Sequence, residues 1–260
     1  MASVSDDEAS SGDRGPQTHR TIDRVTKILE EVVYNPGMTF AEVAKALDAP
    51  RSSVHGFIRG LLARGWLFED NHRFYLGPAV YGLTLASGHI RAGLVTEGDL
   101  AELHDSTGLT VFLGVQAGEH LIYVAEAGSD TLVGYAARTD IRRTLLETAG
   151  GKALLVALPE SQRNAYLRRR PPEDAALVDQ FLSESVSIRE SRIARNSLHQ
   201  GSRFALATVL SNTAGEAVAE VTLVGESSDM LPREEELSQT LLRFVDGWRQ
   251  RKGYSAREAV

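Results

Sequence analysis

The chain has 260 residues, 42% hydrophobic and 24% charged, with a net charge of −7 and no cysteine. That length can bury one large core or two smaller ones. The missing cysteines exclude disulfides, thiolate zinc sites and cysteine nucleophiles, and no apolar run approaches the ~20 residues of a membrane span.

Residues 1–18 are polar and without periodicity, and are expected to form a disordered tail. Met1 to Gly15 lacks an apolar stretch, so no secretory leader is expected there and the location is read as cytoplasmic. A helix is predicted next: Ile22, Val25, Leu29 and Val32 recur at three- and four-residue spacing, with Ile28 and Val33 widening the stripe. Asn35-Pro36-Gly37 ends it. Thr39-Phe40-Ala41-Glu42 has the form of a capping box opening a second helix, with Val43, Ala44 and Leu47 inward. Pro50 suits the first turn of a third, Pro50 to Ala63. Its inner face is Val54, Ile58, Leu61 and Leu62; Arg51, Ser52, His55 and Arg59 share the other. Gly65 ends it. Trp66-Leu67-Phe68 and Arg73-Phe74-Tyr75-Leu76 read as a hairpin across Glu69 to His72. Trp66, Phe68, Phe74 and Tyr75 are taken as core.

A helix from Pro78 to Gly88 follows, then one from Leu94 to Ser106. Strands are predicted at Val111 to Val115, Leu121 to Ala125 and Leu132 to Ala136. Helices are predicted at Gly150 to Ala157, Pro159 to Arg169 and Asp174 to Glu184. A strand pair, Arg203 to Leu210 with Ala217 to Val224, precedes a last helix from Arg233 to Arg251. The whole reads as α+β.

Three short helices and a hairpin make a winged helix-turn-helix over residues 19–77, with a linker helix over 78–93 and a second domain over 94–254. A helix that enters the major groove of double-stranded DNA needs donors on its outer face near its N-terminus. Arg51, Ser52, Ser53 and His55 are there, with Arg59 on the same side. Arg can fork onto guanine and Ser can reach bases or phosphates. His72 and Arg73 stand at the hairpin tip, within reach of a minor groove or the flanking backbone. Charge gives no help: between His19 and Leu76 eight Lys and Arg meet seven carboxylates. Three helices and a wing also occur in protein-interaction modules, and the pattern alone leaves both readings open.

The run "TIDRVTKILEEV…MTFAEVAKALDAPRSSVHGFIRGLLARGWLFED…RFYLGPAVYGL" resembles the IclR family of bacterial regulators. So does Arg142 to Ala157, "RRTLLETAGGKALLVA", which is similar to the family's effector-domain signature. The closing "REEELSQTLLRFVDGWRQRKGY" resembles its last helix. The resemblance implies a GAF-like effector-binding C-terminal domain, a homodimer or homotetramer and a small-molecule effector; a two-fold protein is then expected to read a pseudo-palindromic operator, and no cofactor is expected. The function it implies is transcriptional regulation, read here as repression. By position it places DNA contacts on Arg24, Thr39, Arg51, Ser52, Ser53 and His55. Gly56 departs from it, since relatives commonly carry Arg after the matching His. The resemblance places effector contacts at Ala149 and Gly150, and at Ala194, Phe204, Thr222 and Val224 on late strands, where acid-binding relatives are more polar. Tyr135 and Leu146 are expected to line the same pocket. An apolar, lactone-like or aromatic ligand is therefore expected; the alternative is that Phe204 and Val224 merely fill core.

Gly150-Gly151-Lys152 is not a phosphate loop: Leu146 stands where its first Gly belongs, and Ala153 replaces the Ser/Thr. Lys152 is read as a helix-start residue, and Arg168 to Arg170 as a solvated helix end. No nucleophile elbow or metal-ligand spacing is found; His89, His104, His120 and His199 are scattered. The chain is not expected to be an enzyme.

Overall fold

The computed structural model describes residues 19–87, 95–129, 142–212 and 214–255. The chain divides between Ser87 and Gly88 into two compact units. The tail, the strand expected at Leu132 to Ala136, Tyr135 and most of the segment joining the units lie outside the described residues. Among the described residues, no helix is long and apolar enough to cross a membrane.

The first unit holds α1 (Arg20–Tyr34), β1 (Met38–Thr39), α2 (Phe40–Ala46), α3 (Arg51–Ala63), β2 (Leu67–Asp70), β3 (Arg73–Leu76) and α4 (Pro78–Ser87). Its core joins Ile28 and Val32 of α1, Val43 and Ala44 of α2, Val54, Ile58 and Leu61 of α3, and Leu67 and Phe74 of the hairpin. The buried stripe of α1 runs through Ile28 and Val32. Ile22 is 61% exposed and Val33 42%, so the stripe is narrower than expected. β1 was not foreseen. It pairs antiparallel with β3, giving the order β1-β3-β2. The hairpin turn is shorter than expected: Asn71 and His72 both have positive φ, 49° and 60°, as a two-residue turn matched to strand twist requires. Phe68 is not core. It is exposed and stacks on Tyr75 with centroids 5.0 Å apart.

The second unit contains α5 (Glu97–Thr107), β4 (Thr110–Ala117), β5 (His120–Ala127), β6 (Arg143–Thr144), α6 (Ala149–Ala157), α7 (Glu160–Arg168), α8 (Ala175–Ser191), β7 (Ala194–Leu198), β8 (Arg203–Ser211), β9 (Ala217–Glu226) and α9 (Glu234–Ser255). The strands form one antiparallel sheet in the order β6-β5-β4-β9-β8-β7. Successive side chains of a strand point to opposite faces, and the two faces bury different partners. Val111, Leu113, Leu206, Leu210, Val221 and Leu223 meet Leu100 and Leu103 of α5 and Leu237, Leu241, Val245 and Trp248 of α9. Phe112, Ala205, Ala207 and Val224 meet Ala149 and Ala153 of α6 and Ile188 of α8. Small residues on this second side let α6 lie close to the sheet.

Two expectations about charges change. Lys152 does stand in the first turn of α6, but it is only 1% exposed, its Nζ donating to Glu184 at 2.9 Å and to the Arg195 carbonyl at 3.4 Å. The arginines after α7 are not simply solvated. Arg169 Nε donates to Glu119 at 2.8 Å, while Arg170 pairs with the same carboxylate and lies over the Tyr166 ring. The β4–β5 turn carries Glu119 across to them.

Candidate nucleic-acid interface and effector cavity

The outer face of α3 follows from how the helix starts. Pro50, expected inside the first turn, is the N-cap residue, and no side chain caps the helix. The first amides of an uncapped helix carry partial positive charge and suit an anion such as phosphate. Arg51, Ser52, His55 and Arg59 are exposed and Ser53 is half-buried. The His55 ring meets Phe40 of α2 edge-on, with centroids 5.9 Å apart. A Cβ added at Gly56 or Gly60 meets nothing within 4 Å, so this face is smooth and leaves room for close backbone approach.

The other expected contacts are placed differently. Thr39 is the cap of α2: its N and Oγ1 donate to Glu42 Oε2 at 2.7 and 2.8 Å, and its oxygen accepts from the Glu42 amide at 3.4 Å. Those hydrogen bonds hold the Glu42 carboxyl below its ordinary pKa. Thr39 thus fixes the start of α2. Arg24 is half-buried on α1. His72 extends from the wing tip, its side chain 99% exposed, with Nδ1 3.2 Å from Glu69. Arg73 spends one N–H on the Gly37 carbonyl at 2.8 Å, tying the wing to the turn before β1.

In the second unit a cavity of about 320 Å³ opens between the start of α6 and the sheet. Tyr123, Arg143, Glu147, Thr148, Ala149, Leu198, His199, Ala205, Thr222 and Val224 line it. Thr148 caps α6, its hydroxyl accepting from the Gly151 amide at 3.0 Å. Glu147 is fixed on both sides: its Oε2 accepts from Thr144 at 2.7 Å and its carbonyl from Asn196 at 2.8 Å. At the rim, His199, Gln200 and Gly201 have φ of 49°, 57° and 86°. Left-handed conformations cost an L-residue roughly 1–2 kcal/mol, so His199 is held towards the cavity by a strained turn.

Of the expected effector residues, Ala149, Thr222 and Val224 line this cavity. Gly150 lies just beneath, where a Cβ would collide with the Glu220 carboxyl at 2.3 Å. Phe204 does not line it. It points to the opposite face, among the side chains covered by α5 and α9, and its neighbour Ala205 lines the cavity instead. A one-residue slip along a strand reverses the face, and that single step separates Phe204 from the cavity-lining Ala205. Leu146 is buried with Leu121, Leu145 and Phe181, and Ala194 with Phe112 and Ile188, in the cores behind the cavity. The wall is mixed: Arg143, Glu147, Thr148, His199 and Thr222 share it with Tyr123 and the aliphatic residues.

The reading of the sequence missed Tyr123, Arg143, Glu147, Thr148, His199 and, below them, Glu220. A signal for Glu220 was present: it is a lone charge within the apolar strand "AVAEVTLV", at the same parity as Thr222 and Val224. It is 0% exposed. Burial pushes its carboxyl up to about 8, against one hydrogen bond from Thr222 that lowers it. Burial and the nearby Glu220 raise the Tyr123 phenol well above its ordinary value, so its proton is retained.

A winged helix-turn-helix and an α+β unit with a cavity of mixed polar and apolar walls define a class, the two-domain DNA-binding regulator with an effector-binding domain. Known proteins agree. Residues 21–70 match the IclR helix-turn-helix domain, and residues 84–246 match the C-terminal domain of the IclR bacterial transcriptional regulators. The chain belongs to the IclR family. The HTH-type transcriptional regulator BhcR of Paracoccus denitrificans is 28% identical over 222 residues, 81% of this chain and 79% of that one. An IclR homologue of Microbacterium hydrocarbonoxydans, solved with 4-hydroxybenzoate, shares the fold at a TM-score of 0.71 and 16% identity, over 88% of this chain and 97% of that one. An IclR regulator of Alicyclobacillus acidocaldarius does so at 0.69 and 17%, over 90% and 100%.

Proposed function

We propose that the protein is a cytoplasmic repressor, a homodimer or homotetramer, that binds a pseudo-palindromic operator and leaves it when a small organic acid enters the second unit. The uncapped, outward-facing first turn of α3 is the observation that carries the DNA side of this reading. Arg51, Ser52, Ser53 and His55 read the major groove, Arg59 approaches the backbone, and His72 extends the wing beside it. Paired heads read two-fold sites.

On the effector side, Arg143 and His199 supply positive charge, and Thr148 and Thr222 supply hydroxyls. Tyr123, Leu198, Ala205 and Val224 offer apolar walls to the rest of the ligand. The 4-hydroxybenzoate bound by the Microbacterium homologue combines both features. This narrows the apolar, lactone-like or aromatic ligand expected from sequence to one that also carries an acid group. Calorimetry with 4-hydroxybenzoate, glyoxylate and pyruvate tests the ligand class: binding of the aromatic acid well above the two small acids is expected, and tight binding of glyoxylate or pyruvate contradicts it. A gel shift across a salt series tests the DNA side, since phosphate contacts make affinity fall steeply with salt. An operator-driven reporter that rises when the protein is expressed contradicts repression.

A further inference from the structure

Glu220 sits in the middle of β9 with one oxygen partnered and one not. Its Oε2 lies 2.5 Å from Thr222 Oγ1, and Oε1 is buried without a hydrogen bond. Backbone is shaped around the carboxyl from two sides. A Cβ at Gly114, on β4, would stand 2.2 Å from Oε1, and one at Gly150, on α6, 2.3 Å from the carboxyl carbon. The neighbouring strand β8 presents Val209 at its register. From β5 the titratable neighbour is Tyr123, and Arg143 of β6 acts on Tyr123. Among the described residues, no cation offsets the Glu220 charge. A carboxylate is strongly disfavoured in such surroundings, so the resting form at pH 7 is the neutral acid.

The consequence falls on Thr222, which lines the cavity directly above. Its hydroxyl has one proton to give. With Glu220 neutral, the acid O–H at Oε2 donates to Thr222 Oγ1, and the Thr222 proton is left to donate into the cavity. With Glu220 ionised, the Thr222 proton must turn down to Oε2. The cavity then meets oxygen lone pairs above a negative charge.

We propose that Glu220 is a positioning residue that makes Thr222 a hydrogen-bond donor to the effector, so that the cavity selects ligands presenting an acceptor oxygen, a carboxylate above all. This rests on the cavity being the effector site. Above the pH at which Glu220 ionises, binding takes up one proton from solvent onto Oε2.

The test uses the full chain and Glu220→Gln, whose amide N–H donates permanently to Thr222 and so imitates the neutral acid. Infrared spectroscopy of the wild type at pH 7 is expected to show a protonated-carboxyl carbonyl band that fades as pH rises past about 8. This readout needs no variant, and a fully ionised Glu220 at pH 7 overturns the proposal. Calorimetry then follows 4-hydroxybenzoate binding from pH 7 to pH 9. Wild-type affinity is expected to fall about tenfold more than that of Glu220→Gln, because only about a tenth of the protein is competent one unit above the ionisation. Parallel pH profiles in the two proteins overturn the proposal and leave the effector site standing. Absence of binding to either protein at every pH sinks the organic-acid reading itself, and this proposal with it.

Discussion

The first turns of α3 and α6 are both helix starts in a regulator, and they work in opposite ways. α3 begins at an exposed proline without a side-chain cap and presents charged and hydroxyl side chains to solvent. α6 is capped by Thr148, and Ala149 through Leu155 are all buried. The first is built on side chains that project. The second is built on the absence of side chains: Gly150 and Gly151 let the helix settle onto Glu220 and the Leu145 backbone. A residue type is therefore informative at α3, whereas at α6 the informative quantity is space.

The same kind of substitution breaks this comparison from both ends. Gly151→Ala places a Cβ 2.3 Å from the Leu145 carbonyl oxygen and 2.5 Å from its Cα. Backbone cannot swing aside as a side-chain tip can, so a loss of about 3 kcal/mol or more is expected, read as a lowered thermal midpoint of the second unit. A midpoint within a degree of wild type removes the close-packing argument.

Of comparable size, summed over its window, is the pH dependence of Glu220. Its folded pKa of about 8 stands above the ordinary 4.5, so between those values the native state binds more protons than the unfolded chain. Stability therefore falls as pH rises through that window, by about 1.4 kcal/mol per unit at most, and levels off above it. Chemical denaturation of Glu220→Gln should show that slope removed. An unchanged slope would mean that the carboxyl is already ionised or not buried.

Smaller effects belong to α3. Arg51→Ala should weaken specific operator binding by about 1–3 kcal/mol if it reads a base, measured by anisotropy at fixed salt. Equal affinity takes Arg51 off the interface. Gly56→Ala should raise the stability of the first unit by about 1 kcal/mol through helix propensity alone, since nothing lies near its Cβ. A lower thermal midpoint would show that this face is not open.

What the sequence disclosed follows the same division. The helix-turn-helix was legible because its elements are local: a capping box, a proline start and a glycine stop each lie within a few residues of what they shape. Even there the edges moved. Ile22 fits the helical period yet is exposed, and Phe68 looked like core yet stacks on the surface of the wing. The cavity of the second unit was legible only in part. Of the residues expected around an effector, Ala149, Thr222 and Val224 line it, but Phe204 faces away because strand parity turns on a single residue. Arg143 and His199 come to the cavity from distant segments, and nothing local to either announces the meeting. Glu220 was visible as a charge in an apolar strand. What that charge meant depended on Gly114 and Gly150, far away along the chain.

The central claim is that α3 of a two-fold assembly reads a specific operator. Selection from a random duplex library, using the full chain at near-physiological salt, tests it most directly. Enrichment of a pseudo-palindrome is expected, with half-sites that are lost when Arg51→Ala replaces the wild type. Recovery of unenriched sequence, or of a single unpaired half-site, would contradict it.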